Sequence, residues 1–275
     1  MTDPLATDPP GDPEFPADTR AVVFPSGGEQ LLGVLHVPVG PGPHPTVVLL
    51  HGFPGIERNF DLAQVLRRAG YAALVFHYRG SWGMGGRWSW GHVLEDAAAV
   101  VAALRDPATA AAHRLDPGRV ALVGHSLGGF VALMTAAADP AVTATVSVAG
   151  FDFGTAAAIC RADPAARAGW VEAFAGELLP LRGTSGEALV AEMEAAGDAW
   201  RLGGLAPRLA GRPVLLVGTG RDPVTPHAVH HDPVVGAYRA AGVRLQHHVL
   251  PTDHALSDHR VALARTVLGF LRTAT

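Results

Sequence analysis

Cysteine is nearly absent. Cys160 is the only one in a chain of 275 residues, so no intrachain disulfide can form and the fold does not rely on an oxidising compartment. Long apolar runs are missing as well: Val47 to Leu50 and Val214 to Val217 are strand-sized, against the roughly eighteen residues of a membrane-spanning helix. No charge dominates. A net charge of -4, with 17% charged residues and no block of basic side chains, leaves no electrostatic footprint for nucleic acid or an anionic membrane. The start of the chain is acidic and Pro-rich, without the basic region and apolar core of a signal peptide. Residues 1–19 are therefore expected to be a disordered Pro-rich leader on a cytoplasmic protein. Apolar residues make up 48% of the chain, enough for one sizeable core, and residues 20–275 are expected to form a single domain.

A strand-and-helix rhythm runs through that domain. Arg20 to Phe24 and Leu31 to Val37, joined by Ser26-Gly27-Gly28, read as an antiparallel hairpin. Thr46 to Leu50 is apolar without alternation, as in a parallel sheet with both faces covered, and Tyr71 to Phe76, Val120 to Val123, Val142 to Ala149 and Arg212 to Val217 read as further strands. Val243 to Leu250 is expected as the last strand. Helical patterns fall at Arg58 to Ala69, Val93 to Leu104, Val131 to Ala138, Val229 to Ala241 and Ser257 to Arg272. Between about 150 and 205 the rhythm stops, and an Ala- and Glu-rich stretch with no convincing strand reads as a small helical cap.

The chain turns on Val120-Ala-Leu-Val-Gly-His-Ser-Leu-Gly-Gly-Phe130. Here an apolar strand meets a helical run with Ser126 at the apex, and Gly124-His125-Ser126-Leu127-Gly128 fits G-x-S-x-G. Glycines two before and two after the serine permit a turn so tight that a Cβ would strike neighbouring backbone. A serine that merely caps the helix is the plain alternative. The buried strand at Thr46 runs straight into His51-Gly52-Phe53-Pro54-Gly55, and the Gly-rich Tyr78-Arg79-Gly80-Ser81-Trp82-Gly83 follows the next strand. That loop has no Gly-Lys-Ser/Thr and does not open a helix as G-x-G-x-x-G, so it does not read as a phosphate cradle.

These segments together resemble the α/β-hydrolase family, in its dienelactone-hydrolase-like and prolyl-oligopeptidase-like esterase branch. The resemblance implies a mostly parallel eight-stranded sheet with helices on both faces and a small helical cap. It implies that Ser126 is a nucleophile on its elbow, and that the His51 loop supplies an oxyanion hole from the N–H groups of Phe53 and Leu127. Pro54 cannot contribute there, because proline has no N–H. Gly218 to Pro226 resembles the family's G-x-x-D-x-x-x-P segment, making Asp222 the acid that orients a histidine. Pro251 to Asp258 resembles the loop that delivers the histidine, making His254 the general base. The order Ser126, Asp222, His254 is that of this fold. Asp152 stands as an alternative acid and His259 as a competing histidine, while His51 reads as a structural support for its loop.

The expected activity is hydrolysis of small carboxylic esters through an acyl-enzyme intermediate, a carboxylesterase working without a cofactor or metal. Peptidase or amidase, thioesterase and lactonase chemistry would use the same triad. A non-catalytic binding protein on this fold is the alternative of a different class. Trp82, Trp88, Trp90, Phe151, Trp170 and Phe174 are candidates for the substrate pocket, although aromatic side chains that pack a long loop would look the same in sequence. His227, His230, His231 and Asp232 lie close together, but no H-E-x-x-H or Cys cluster accompanies them, so helix packing is the expected role. The partner expected is a small-molecule ester, taken by a monomer or a homodimer.

Overall fold

The protein is described by a computed structural model covering residues 3–274, so the first two residues of the expected leader and Thr275 lie outside the described residues. Residues 3–17 form no helix or strand, and they are tied to the body of the protein. Arg68 Nε donates to the Pro4 carbonyl at 2.6 Å, Leu5 packs beside the core, and the Arg114 guanidinium lies over the Phe15 ring.

Among the described residues one sheet holds β1 (Asp18–Ser26), β2 (Glu29–Val37), β3 (His44–Leu50), β4 (Ala72–Phe76), β5 (Leu115–His125), β6 (Val142–Val148), β7 (Pro213–Thr219) and β8 (Arg244–Leu250). Their order is β1-β2-β4-β3-β5-β6-β7-β8, with β2 antiparallel to both its neighbours and every other pairing parallel. Gly27 and Gly28 make the first hairpin turn at φ 54° and 82°, the pair of positive values that a two-residue type I′ turn requires. In β3 both faces are apolar: Val48 and Leu50 join one core cluster while Val47 and Leu49 join the other, which is why no polar alternation marks this strand.

The helices are α1 (Phe60–Arg68), α2 (Trp90–Arg105), α3 (Pro107–His113), α4 (Leu127–Ala138), α5 (Phe153–Ala162), α6 (Pro164–Gly176), α7 (Gly186–Ala196), α8 (Ala206–Leu209), α9 (His227–His230), α10 (Asp232–Ala240) and α11 (Arg260–Ala274). Helices α1 and α11 cover one face; α2, α4 and α10 cover the other. The expected helix over 229–241 is divided, because Pro233 has no N–H to continue the ladder and the chain restarts as α10. Helix α3 was not expected; Asp106 begins it by accepting the Thr109 N–H at 2.9 Å. His259 precedes α11 instead of lying within it.

Between β6 and β7 the chain is helical from α5 to α8. Each of the longer helices there has a side-chain cap: Asp152 accepts from Thr155 N (3.0 Å), Asp163 from Ala165 N (2.8 Å) and Ser185 from Ala188 N (3.1 Å). Arg167 on α6 pairs with Glu187 and Glu194 on α7. The layer is also joined to the rest of the protein. Glu192 accepts the N–H groups of Trp90 and Gly91 at 2.9 and 2.7 Å, satisfying two orphan donors at the start of α2. No helix among the described residues is long and apolar enough to cross a membrane.

The loop after β4 is held by a buried ion pair. Asp96 on α2 accepts from Arg79 Nε (2.6 Å), Arg79 N (2.7 Å) and Ser26 Oγ (2.7 Å), and its side chain is fully buried. Removing one partner of such a pair strands the other charge and typically costs about 3–5 kcal/mol. Asp96→Ala is therefore expected to lower stability by about 3–5 kcal/mol in urea denaturation. A loss below about 1 kcal/mol would mean that Glu95, which also pairs with Arg79, suffices to hold it.

Candidate active site

Strand β5 ends at His125 and α4 begins at Leu127, leaving Ser126 alone in the turn at φ 57°, ψ -119°. The glycines make that turn possible. A Cβ at position 124 would lie 1.8 Å from the Gly128 carbonyl oxygen, and one at 128 would lie 1.9 Å from the Leu50 carbonyl oxygen. Leu127 is the first residue of α4, so its N–H has no intrahelical acceptor.

The 51–55 loop follows β3 and packs beside the serine, so closely that a Cβ at position 52 would lie 3.1 Å from Ser126 Cβ. Three of its carbonyls are tied down by side chains. The Gly52 carbonyl accepts from His51 Nδ1 (2.8 Å), that of Pro54 from Trp82 Nε1 (2.8 Å), and that of Gly55 from Arg58 Nε (2.9 Å). Arg58 in turn stacks on the Trp82 ring at 4.2 Å. Phe53 lies between these tethers, and its N–H has no acceptor among the described residues. Phe53 and Leu127 both border the cavity above Ser126.

Asp222, in the loop after β7, accepts from His254 Nδ1 at 2.6 Å. Its buried carboxylate also accepts from Thr219 Oγ1 and Thr225 Oγ1, each at 2.6 Å, and from the backbone N–H groups of Val224 and Thr225 at 2.8 and 3.0 Å. Burial alone would raise its pKa. The His254 hydrogen bond and charge, with the two threonine hydroxyls, outweigh burial and hold the carboxyl well below the usual carboxylate range. With Nδ1 committed to Asp222, Nε2 is the ring nitrogen left to face Ser126, and both residues border the same cavity. No hydrogen bond joins the two side chains; such contacts often tighten only around substrate.

His125 is a support that the motif did not reveal. Its Nε2–H donates to the backbone carbonyl of His254 at 2.7 Å, with the rings 4.9 Å apart. That bond fixes the proton on Nε2 and leaves Nδ1 a buried, unpartnered acceptor. Sequence reasoning also missed Trp82 and Arg58 as tethers, and the threonines at three residues on either side of Asp222. The threonine spacing was a visible signal; the others depend on loop paths that no periodicity encodes.

The structure separates the remaining candidates. Asp152 caps α5, and its N–H meets His230 Nδ1 at 3.0 Å; it does not reach His254. His259 pairs with Asp258 outside the cavity. His227 pairs with Asp232, while His230 stacks on Phe151, and no metal-binding cluster of three or more His, Cys, Asp or Glu occurs among the described residues. Of the aromatic candidates, Trp90, Phe151, Trp170 and Phe174 line a cavity of about 750 Å³. Trp82 and Trp88 do not, and the expectation for them is corrected. Trp88 is buried one layer behind, 6.0 Å from each of Phe53, Tyr78 and Trp90, and Trp82 is held at the outer side of the 51–55 loop by its bond to Pro54.

Comparison with known proteins agrees with this architecture. The model of the alpha/beta hydrolase family matches residues 47–266, and the chain belongs to that family. A curated relative, 2,6-dihydropseudooxynicotine hydrolase of Paenarthrobacter nicotinovorans, is 32% identical over 121 residues, which is 42% of this chain and 31% of that protein. The chain thus matches about a third of its relative's length. Two solved structures share the fold. An esterase from Pyrococcus furiosus superposes with a TM-score of 0.70 at 17% identity, covering 97% of both chains. A puromycin hydrolase superposes with a TM-score of 0.71 at 22% identity, covering 98% of this chain and 40% of that one.

Burial keeps the supporting histidines neutral. It pushes His51 down to about 3, and His77, His125, His230 and His231 down to about 4. The unfolded chain takes up these protons near pH 6.5 while the folded one resists until about pH 4. The stability they contribute is complete above about 6.5 and lost as pH falls toward about 4. Melting temperature is expected to fall by roughly 10 °C or more between pH 7 and pH 5; a flat profile there would show that these rings are not held neutral.

Proposed function

We propose that this chain is a serine hydrolase of small carboxylic esters, working through an acyl-enzyme. The observation that carries this reading is the His254 Nδ1 to Asp222 contact of 2.6 Å, which directs the other ring nitrogen to the cavity that Ser126 shares.

In the first step Ser126 Oγ attacks the ester carbonyl carbon and its proton passes to His254 Nε2. The carbonyl oxygen becomes an oxyanion, received by the N–H groups of Phe53 and Leu127. Such donors are worth most where water is excluded and the backbone is already held in place, and the tethered carbonyls at 52, 54 and 55 provide that hold. Asp222 remains ionised throughout and balances the imidazolium. Collapse of the intermediate breaks the bond to the alcohol oxygen, which takes the proton from Nε2. Water then attacks the acyl-Ser126, gives a proton to Nε2, and the acid leaves as that proton returns to Oγ. The enzyme ends as it began.

The size of the cavity favours a small substrate over a polypeptide. Helix α6 contributes Trp170 and Phe174 to the cavity wall, and the volume of about 750 Å³ is that of a small-molecule site. Amides, thioesters and lactones would meet the same nucleophile, so a panel of leaving groups defines the preferred bond. A fluorophosphonate probe is expected to add one phosphonyl group to Ser126, read by peptide mass spectrometry. Ser126→Ala is expected to abolish labelling and to lower ester turnover on the order of 10⁴-fold or more. Equal turnover by wild type and Ser126→Ala would defeat the proposal.

A further inference from the structure

The charge on the cavity wall bears on what the substrate carries. The ionisable side chains that border the cavity are His125, His254, Glu57 and Glu177, with no arginine among them. Arginines within a few residues of the lining ones in sequence are turned to other tasks. Arg58 serves the Gly55 carbonyl and Trp82, Arg167 spans Glu187 and Glu194, Arg221 pairs with Asp258, and Arg260 forks onto Asp61. An anionic substrate would therefore lose hydration without meeting a counter-charge, an unfavourable exchange.

The two carboxylates differ. Glu57 Oε1 accepts the Asn59 N–H at 2.6 Å and lies 3.8 Å from Arg260, so its charge is largely answered. Glu177 is exposed at the rim of the cavity, and its side chain has no hydrogen-bond donor or ion-pair partner among the described residues. It stands at the C-terminal cap of α6, where the helix dipole adds to the negative potential. Trp170 and Phe174 precede it by seven and three residues, so all three fall on one face of α6, and all three border the cavity. Their rings are 5.4 Å apart at 33° to one another, with Phe151 5.1 Å from Trp170 and Phe53 5.5 Å from Phe174. Aromatic rings beside a carboxylate that has no cationic partner suit an organic cation, which a ring quadrupole attracts.

We infer that the cavity selects esters bearing an ammonium group, received between the rings of Trp170 and Phe174 and the Glu177 carboxylate while the scissile carbonyl meets Ser126. The chemistry in this inference rests on the serine-hydrolase reading; the binding preference does not. It is tested with pairs of esters in which a trimethylammonium head replaces a tert-butyl head of the same shape, once on the acyl side and once on the alcohol side. A third ester carries a carboxylate in that place.

Wild-type kcat/KM is expected to favour the trimethylammonium member by about tenfold in at least one pair, with the carboxylate ester poorest. In Glu177→Gln the ratio within that pair is expected to shrink to about twofold or less. Because the ratio is taken within one protein, a general loss of activity cancels. A wild-type ratio of one or below in both pairs, or a ratio untouched by Glu177→Gln, overturns the inference. If no ester is turned over, the serine-hydrolase reading fails, and binding decides the remainder. Quenching of tryptophan fluorescence in the full chain should then titrate at lower concentration with the trimethylammonium ester than with its tert-butyl counterpart, and equal affinities would overturn the preference.

Discussion

The approach of α4 to the ends of β3 and β5 is the constraint on which the site depends. The helix starts so close to the sheet that a Cβ at 124, 128 or 129 would come within 1.8, 1.9 or 2.5 Å of an oxygen atom. Small residues there allow the helix axis to point its N-terminus at the cavity with Leu127 at its first position. Any outward displacement would separate the Leu127 N–H from the Phe53 N–H, and the proposed mechanism, in which both meet one oxygen, tolerates little error there. Helix α4 can be held this close because nearly all of its surface is buried, so packing acts on it from all sides.

The Phe53 segment is positioned by a different device. A loop of glycine and proline has little packing surface of its own, and its geometry comes from side chains that grip its carbonyls. His51, Trp82 and Arg58 each take one. Two of these groups would be poor tethers if the surroundings were wetter: a protonated His51 would present charge in a fully buried place, and a solvated Arg58 would be drawn away from the Trp82 face. Burial keeps the first neutral and confines the second. His125 applies the same logic to the opposite wall, giving its one N–H to the backbone of His254. Stability of the fold and order in the cavity are in this sense the same set of contacts.

Much of this could be read in the sequence wherever a local rule admits few residue types. Ser126 between its glycines, the 51–55 loop directly after β3, and Asp222 and His254 in the loops after β7 and β8 are all positions where a strand end dictates the location of a side chain. Strands such as β3 and β4 were legible for a related reason, since both their faces are buried and their sequences are apolar. Trp82 and Trp88 were not legible as to role. Trp82 sits at φ 48°, and its direction follows from the turns made by the flanking glycines and from the bond to Pro54, neither of which has a period. Helix α3 was hidden because Asp106-Pro107 reads equally as an end and as a beginning; here Asp106 closes α2 and caps α3.

The cap shows why pattern reading stops where a helix faces a cavity. A helix against a core buries one stripe and wets the other, and its sequence shows the contrast. Helix α6 is different: only Phe174 in it is fully buried, and Ala166, Gly169, Trp170 and Ala173 border open space. Its stripe is therefore half filled by its own large rings and half left for something else. Small residues at 166, 169 and 173 create the room, and the rings at 170 and 174 give that room a flat apolar wall. Larger side chains at the small positions would fill the cavity from the side of α6. The cap can thus change what the cavity accepts while the sheet, the elbow and the histidine loop remain as they are.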